Sequence, residues 1–117
     1  MKFIYICHKL FGDGSVPPQE NFQRIDDIAR LIALREPDAV ILSPVHAFKF
    51  LPWDDERCDE LGRRMCLGLL SKATEMRVFS DYSTSRGCMM EIEEARRLGI
   101  PVLYGYDEGE LSAVPSC

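Results

Sequence analysis

Short apolar runs alternate along the chain with longer stretches whose apolar positions recur at helical spacing. Lys2 to Cys7 (KFIYIC) is rich in aromatic and β-branched residues and is followed by Gly12, Gly14, Pro17 and Pro18, the pattern of a buried strand emptying into a loop. From Gln19 to Leu34, Phe22, Ile25, Ile28, Ala29 and Ile32 fall three and four residues apart, with Asp26, Asp27 and Arg30 on other faces. This predicts an amphipathic helix ended by Pro37. Asp38 to Ser43 (DAVILS) is a continuous apolar run, too short for a helix and without alternation, and it predicts a strand covered on both faces. A loop with Pro44, His46, Phe48, Phe50, Pro52 and Trp53 follows. Asp54 is then placed to cap a second helix, with Asp55 and Glu56 in its acidic first turn and Cys58, Leu61, Met65, Cys66, Leu69 and Leu70 as its apolar stripe. A third strand is predicted near Glu75 to Ser80. Ser85 caps a third helix reaching about Leu98, Gly99 stops it, and Ile100 to Tyr106 (IPVLYGY) is a fourth strand.

Strands alternating with amphipathic helices across short connections imply βαβ units, right-handed crossovers and a parallel sheet. The predicted fold class is α/β: a small doubly wound, Rossmann-like or flavodoxin-like sheet of four to five strands with helices on both faces. The expectation is a single domain over residues 1–117, with 107–117 a loose or partner-contacting tail. Ligands of such sheets sit at the carboxyl ends of the strands, near the point where strand order reverses. That nominates the loops after Cys7, Ser43 and Ser80.

Composition narrows the function. The 117 residues suffice for one core, and 14 Lys+Arg against 19 Asp+Glu give a formal charge of -5, which disfavours general affinity for nucleic-acid backbones or anionic membranes. No nucleic-acid or membrane partner is expected, and an anionic ligand must be bound locally. The five cysteines are odd in number, widely spread and without a C-x-x-C pair, which fits a reducing cytoplasm better than a disulfide framework or a zinc knuckle. No leader or membrane-spanning stretch is read at the Met1-Lys2 start. Gly12-x-Gly14 lacks the third glycine of a dinucleotide fingerprint, no phosphate-loop motif is present, and the position six residues after Cys7, where a phosphatase loop needs arginine, is Asp13. No metal or cofactor is predicted, because no His, Cys, Asp or Glu cluster has ligand spacing.

The sharpest motif is Ser85-Arg86-Gly87-Cys88-Met89-Met90-Glu91. In a helix starting at Ser85, Cys88, Ile92, Ala95 and Leu98 or Gly99 face the sheet, and Glu91 lies on or beside that stripe. A carboxylate held there is partly desolvated, which raises its pKa and suits acid, base or nucleophile work; the alternative is a boundary glutamate paired with an arginine. Ser85 and Gly87 leave backbone N–H groups open to an anion such as a 5′-phosphate, although capping is the commoner use of such a pair.

The stretch SRGCMMEIEEARRLGIP, with Ser85, Gly87, Glu91, Ala95, Gly99 and Pro101, resembles the signature of the nucleoside 2-deoxyribosyltransferase-like superfamily, and most closely its short domains of unknown function with an S-x-G-x-x-x-E helix start. KFIYIC and the SPVH after the second strand match the family's first strand and Pro/His loop, so the likeness extends to about Tyr106. The resemblance implies cleavage or transfer at the N-glycosidic bond of a nucleoside or nucleotide. It assigns Glu91 to the anomeric carbon and the Ser85 hydroxyl to the 5′-phosphate, and it implies dimers. Typical transferases carry aspartate where Ser85 stands, which favours the nucleotide-hydrolysing branch.

The expected function is therefore a nucleotide N-glycosidase acting on a (deoxy)nucleoside 5′-monophosphate. Glu91 is its nucleophile or charge stabiliser, and Asp81 or His46 the partner at the departing base, Asp81 being the one placed with the catalytic residues. Ser85, Gly87, His8, Lys9, His46 and Tyr82 are the substrate-binding candidates, with Phe48, Phe50 and Trp53 as further aromatics able to stack or simply pack. Two readings stand beside it: a non-catalytic nucleotide-binding module, motivated by Cys7-His8-Lys9 where the family often has a small or glycine-containing turn, and a nucleoside deoxyribosyltransferase. A homodimer or higher homo-oligomer is expected, since so short a chain has little room to enclose a ligand alone.

Overall fold

The strand Phe3–Cys7 (β1) divides the molecule by its alternation, sending Ile4 and Ile6 to one face and Tyr5 and Cys7 to the other, all four buried. The computed structural model describes residues 1–11, 14–52, 55–79 and 82–105. After β1 come α1 (Pro18–Arg35), β2 (Val40–Leu42), a short α2 (Pro44–Ala47), α3 (Glu56–Leu70), β3 (Glu75–Val78), a 3-10 turn at Tyr82–Thr84, α4 (Arg86–Arg97) and β4 (Val102–Tyr104). All strand pairings are parallel, in the order β2-β1-β3-β4. The chain goes outward from β1 to β2, then returns past β1 to β3 and β4. The reversal falls between β1 and β3, where a doubly wound sheet opens a crevice at its carboxyl edge.

Each face has its own core. Ile25, Ile28 and Ile32 of α1 pack on Ile4, Ile6 and Phe79. On the other side Leu70 of α3 and Cys88, Ile92 and Ala95 of α4 pack on Tyr5, Cys7, Met76 and Val78. Helices thus cover both faces, as the alternation of elements implies. Burying each side chain of this size contributes about 1.5–3 kcal/mol, so these two layers hold the strand ends that carry the site.

Several boundaries differ from the sequence reading. DAVILS forms only Val40–Leu42, an edge strand whose first residue, Val40, is exposed, while Ile41 packs on one core and Leu42 on the other, so both faces are covered as expected. A continuous apolar run marks a strand but cannot say how many neighbours it has. The buried stripe of α3 is Gly62, Cys66 and Leu70, while Leu61 faces outward; a glycine, with no side chain, is invisible to a count of apolar residues. In α4, Cys88, Ile92 and Ala95 are buried as expected, but Leu98 is exposed. Asp55 caps α3, its side chain accepting from the Arg57 N–H at 2.9 Å, whereas Asp54 lies outside the described residues, as do Trp53, Ser80, Asp81 and 106–117. Gly99 ends α4 as expected: its φ of 73° lies in the left-handed region that favours glycine. Among the described residues no helix is long and apolar enough to cross a membrane.

Candidate functional site

A pocket of about 170 Å³ opens at the carboxyl edge of the sheet, at the reversal of strand order. Four segments build its wall. His8, Leu10 and Phe11 come from the loop after β1, and Pro44 and Val45 from the segment after β2. Asp59, Arg63 and Cys66 project from one stripe of α3, each a turn beyond the last, and Ser85 to Cys88 with Glu91 supply the first turns of α4. The β1 loop is pinned by the buried Asn21 of α1, whose side-chain amide donates to the Leu10 carbonyl at 2.7 Å.

Glu91 sits at the inner end. The Tyr5 hydroxyl, projecting from the middle of the sheet, donates to Glu91 Oε1 at 2.9 Å. Burial pushes the Glu91 carboxyl up to about 7, against hydrogen bonds from Tyr5 and Cys7 that pull it down. The carboxyl is therefore poised between its acid and base forms near neutral pH, as catalytic carboxyls often are. Tyr5, Cys7 and Cys66, the groups beside it, are neutral at pH 7. Tyr5 is raised well above the usual phenol range by burial and then by Glu91, and burial pushes the Cys66 thiol up to about 12. The Cys7 thiol points to the Cys88 carbonyl, with Sγ 3.8 Å from the oxygen, and this bond, followed by burial, also raises it. These thiols are protonated and inert as nucleophiles.

The opposite end of the pocket is made by the start of α4. Ser85 caps the helix, its hydroxyl oxygen accepting from the Cys88 N–H at 3.2 Å, while the Met89 N–H reaches the Ser85 carbonyl at 3.0 Å. The Arg86 and Gly87 N–H groups have no partner among the described residues. A Cβ at Gly87 would meet Ser85 Oγ at 3.9 Å, an ordinary contact, so packing alone does not demand glycine there. Its missing side chain keeps the approach to those N–H groups clear. Arg86 lies beside them, and Arg63 pairs with Asp59 at 3.2 Å across one helical turn.

The structure thus brings Glu91, Ser85, Gly87 and His8 to one pocket and sets other candidates apart. His8 Nδ1 lies 2.6 Å from the Lys9 carbonyl and donates to it, which leaves Nε2 as an acceptor. Burial lowers the His8 pKa, so the ring is neutral at pH 7. Lys9 is buried and does not line the pocket. His46 belongs to the other face of the sheet edge: Nε2 lies 3.1 Å from Asp26, Nδ1 lies 2.6 Å from Ser43 Oγ, and the ring packs against Phe22, tilted by 49° with centroids 4.9 Å apart. Only its neighbours Pro44 and Val45 reach the pocket, because the short helix α2 turns His46 away. Tyr82 packs on the core and on Tyr104, with ring centroids 5.7 Å apart, and Phe48 pairs with Phe50; none of these lines the pocket. Asp81 lies outside the described residues.

Sequence reasoning passed over Tyr5, Asp59, Arg63 and Cys66. One signal was available: a tyrosine in a fully apolar strand carries a hydroxyl that burial forces to find a partner. For the α3 residues no motif existed, because their role depends on how that helix packs beside α4.

Among curated proteins, none matches the sequence. Among solved structures, the fold is similar to that of a 2-deoxyribosyltransferase from Bacillus psychrosaccharolyticus, with a TM-score of 0.65 and 13% identity, over 96% of this chain and 81% of that one. At that identity the likeness shows a shared fold, in agreement with the parallel sheet and two-sided helical cover described above. Residues 2–105, the whole sheet with its helices and the pocket at its edge, match the family described as Domain of unknown function (DUF7768), and the chain belongs to that family.

Proposed function

We propose that this protein cleaves the N-glycosidic bond of a nucleoside 5′-monophosphate, ribo or deoxy, with Glu91 acting at the anomeric carbon. The observation that carries the reading is the half-buried Glu91 carboxyl, held near 7 at the inner end of a pocket whose outer end is the open start of a helix. The likeness in fold to a 2-deoxyribosyltransferase supports it.

In this reading the phosphate lies at the Ser85–Gly87 turn, where N–H groups and the Arg86 charge meet it. The sugar then extends inward toward Glu91. As the C1′–N bond breaks, its electron pair leaves with the base, which takes a proton, and positive charge grows on the sugar. The ionised Glu91 stabilises or captures that carbon. Water attacks C1′ in turn and returns the carboxylate free. Tyr5 positions the carboxylate and favours its ionised form by donating to it. Asp81 is kept as the candidate proton donor to the base. A pocket of about 170 Å³ is smaller than the roughly 300–1,000 Å³ usual for small-molecule sites, and we assign its completion to a second copy of the chain. Sedimentation at twice the monomer mass is expected.

The test is free-base release, followed by chromatography, from a panel of nucleoside 5′-monophosphates and free nucleosides, beside Glu91→Ala. Release from the monophosphates, abolished in a folded Glu91→Ala protein, is expected. Release at undiminished rate in that variant would overturn the role of Glu91, and silence of the wild type across the panel would overturn the hydrolase.

A further inference from the structure

The wall that closes the pocket on the side of α3 is also the wall of a second, wider groove. That groove measures about 740 Å³ and runs between α3 and the start of α4. It shares Asp59, Arg63 and Arg86 with the pocket, so the two are continuous where α4 begins. This is the end assigned above to the phosphate, not the end that holds Glu91.

The groove is cationic in a chain that is acidic as a whole. Arg57, Arg63, Arg64 and Arg86 line it against Asp59 and Glu60, although the formal charge of the protein is -5. The arginines are not equally engaged. Arg63 is held by Asp59 and Arg57 by Asp55, the latter with its guanidinium 3.2 Å from a carboxylate oxygen. Arg64 and Arg86 have no partner among the described residues. Leu61, Leu67 and Met90 supply an apolar floor between the charges. Planar guanidinium groups at a groove contiguous with one phosphate position match phosphoryl oxygens and are poorly suited to a neutral extension.

We propose that the groove between α3 and α4 receives a second phosphoryl group, so that beyond monophosphates this site takes, and prefers, nucleotides bearing at least two linked phosphates. The inference rests on the reading above in placing the first phosphate at Ser85–Gly87. From there Arg86 stands between the two positions, Arg64 and Arg57 meet the outer phosphate, and whatever the outer phosphate carries lies over Leu61 and Met90. Nucleoside diphosphates, triphosphates and nucleotides joined through a diphosphate share this chemistry.

A base-independent titration tests it. Inorganic pyrophosphate and inorganic phosphate are each titrated calorimetrically into the wild-type protein, Arg64→Ala, Arg57→Ala and, as a charge-matched control outside the groove, Arg96→Ala. Pyrophosphate is expected to bind about tenfold more tightly than phosphate at low ionic strength, the advantage falling to about twofold or less in Arg64→Ala and Arg57→Ala and persisting in Arg96→Ala. Equal affinity for the two anions, no pyrophosphate binding, or an advantage that survives Arg64→Ala and Arg57→Ala would overturn the inference. Base release from matched 5′-mono-, di- and triphosphates and a dinucleotide then separates the sources. A wild type that releases base equally from mono- and diphosphates keeps the hydrolase and loses the groove. One that binds pyrophosphate through Arg64 and releases no base keeps the groove and loses the hydrolase.

Discussion

The Tyr5 hydroxyl and the Glu91 carboxylate meet at 2.9 Å across 86 positions of sequence, joining the central strand to the helix that carries the S-x-G-x-x-x-E motif. Tyr5 is wholly buried, so its hydroxyl has no water to turn to, and Glu91 is the group that satisfies it. The bond also opposes the effect of burial on the carboxyl, because a donor to the carboxylate stabilises its ionised form.

Removing that donor gives the first prediction. In Tyr5→Phe the ring still fills the core, while Glu91 loses a hydrogen bond that favours ionisation. Its pKa is expected to rise above 7 by about one pH unit. Carbon-detected NMR titration of glutamate carboxyls in wild type and variant reads this directly, and the ascending limb of kcat/KM for base release moves with it. An unmoved titration would show that Tyr5 does not support the carboxylate.

Glu91 also makes folding depend on pH. Its folded pKa lies above the value of an unfolded glutamate, 4.5 against about 7. Below the lower value both states hold the proton and nothing is lost. Between the two the unfolded state releases its proton while the folded state keeps it, so stability falls as pH rises through this window and stays low above it. Glu91→Gln removes the penalty and keeps an oxygen for Tyr5. The variant is expected to gain at most about 3 kcal/mol over wild type at pH 8 and close to nothing at pH 4, as read by denaturant unfolding at each pH. A gain equal at both would place the cause elsewhere.

The helix start and its carboxylate were legible because they are local. A hydroxyl at the cap, glycine in the first turn and an acid beside the apolar stripe are all set by helical periodicity within one segment. The order of the elements likewise followed from runs and stripes, and with it the parallel sheet. What escaped was relational. Arg63 and Cys66 reach the pocket only because α3 packs against α4, and His46 is lost to it because a four-residue helix at Pro44–Ala47 turns the ring toward Asp26. Proline at the head of that turn reads as a loop residue in sequence and as a helix start in space. Glu75 shows the same limit from the other side: it is acidic at the entrance of β3, yet it stands at the far end of the sheet from the pocket, in an ion-pair network.

That network carries the acid response of the fold. Arg77 of β3 is gripped by Glu75 at 2.9 Å and by Glu36 at the end of α1, and Lys2 adds contacts to Glu36 at 3.1 Å and Glu75 at 3.4 Å. The hydrogen bond from Arg77 holds the Glu36 carboxyl down to about 2, burial opposing it and Lys2 helping. A carboxyl depressed in the folded state contributes stability above the unfolded value of 4.5 and loses it as pH falls toward 2. Arg77 is mostly buried and Glu36 partly so, and Arg77→Ala leaves the two acids with Lys2 alone, which is expected to cost about 1–3 kcal/mol at pH 7. At pH 2.5 the cost shrinks, since the acids it would strand are becoming neutral. Urea unfolding of both proteins at the two pH values measures the difference, and a pH-independent cost would assign the loss to packing of the arginine stem.

Gly105 closes the sheet against Phe79, and here space rather than dihedral freedom requires the glycine. A Cβ at this position would fall inside the Phe79 ring, which is buried against Ile4, Ile6 and the α1 isoleucines. The ring cannot swing away without opening that core, and the Gly105 backbone cannot retreat without giving up its N–H bond to the Val78 carbonyl at 2.9 Å. Gly105→Ala is therefore expected to destabilise by about 1–3 kcal/mol, the usual cost of overpacking, despite removing a flexible residue from the unfolded chain. A double-mutant cycle separates this clash from any effect of backbone conformation. In a Phe79→Leu background, where the ring is gone, Gly105→Ala should cost less than about 0.5 kcal/mol, so that the two substitutions couple strongly. Equal costs in both backgrounds would mean that Phe79 is not what excludes a side chain at residue 105.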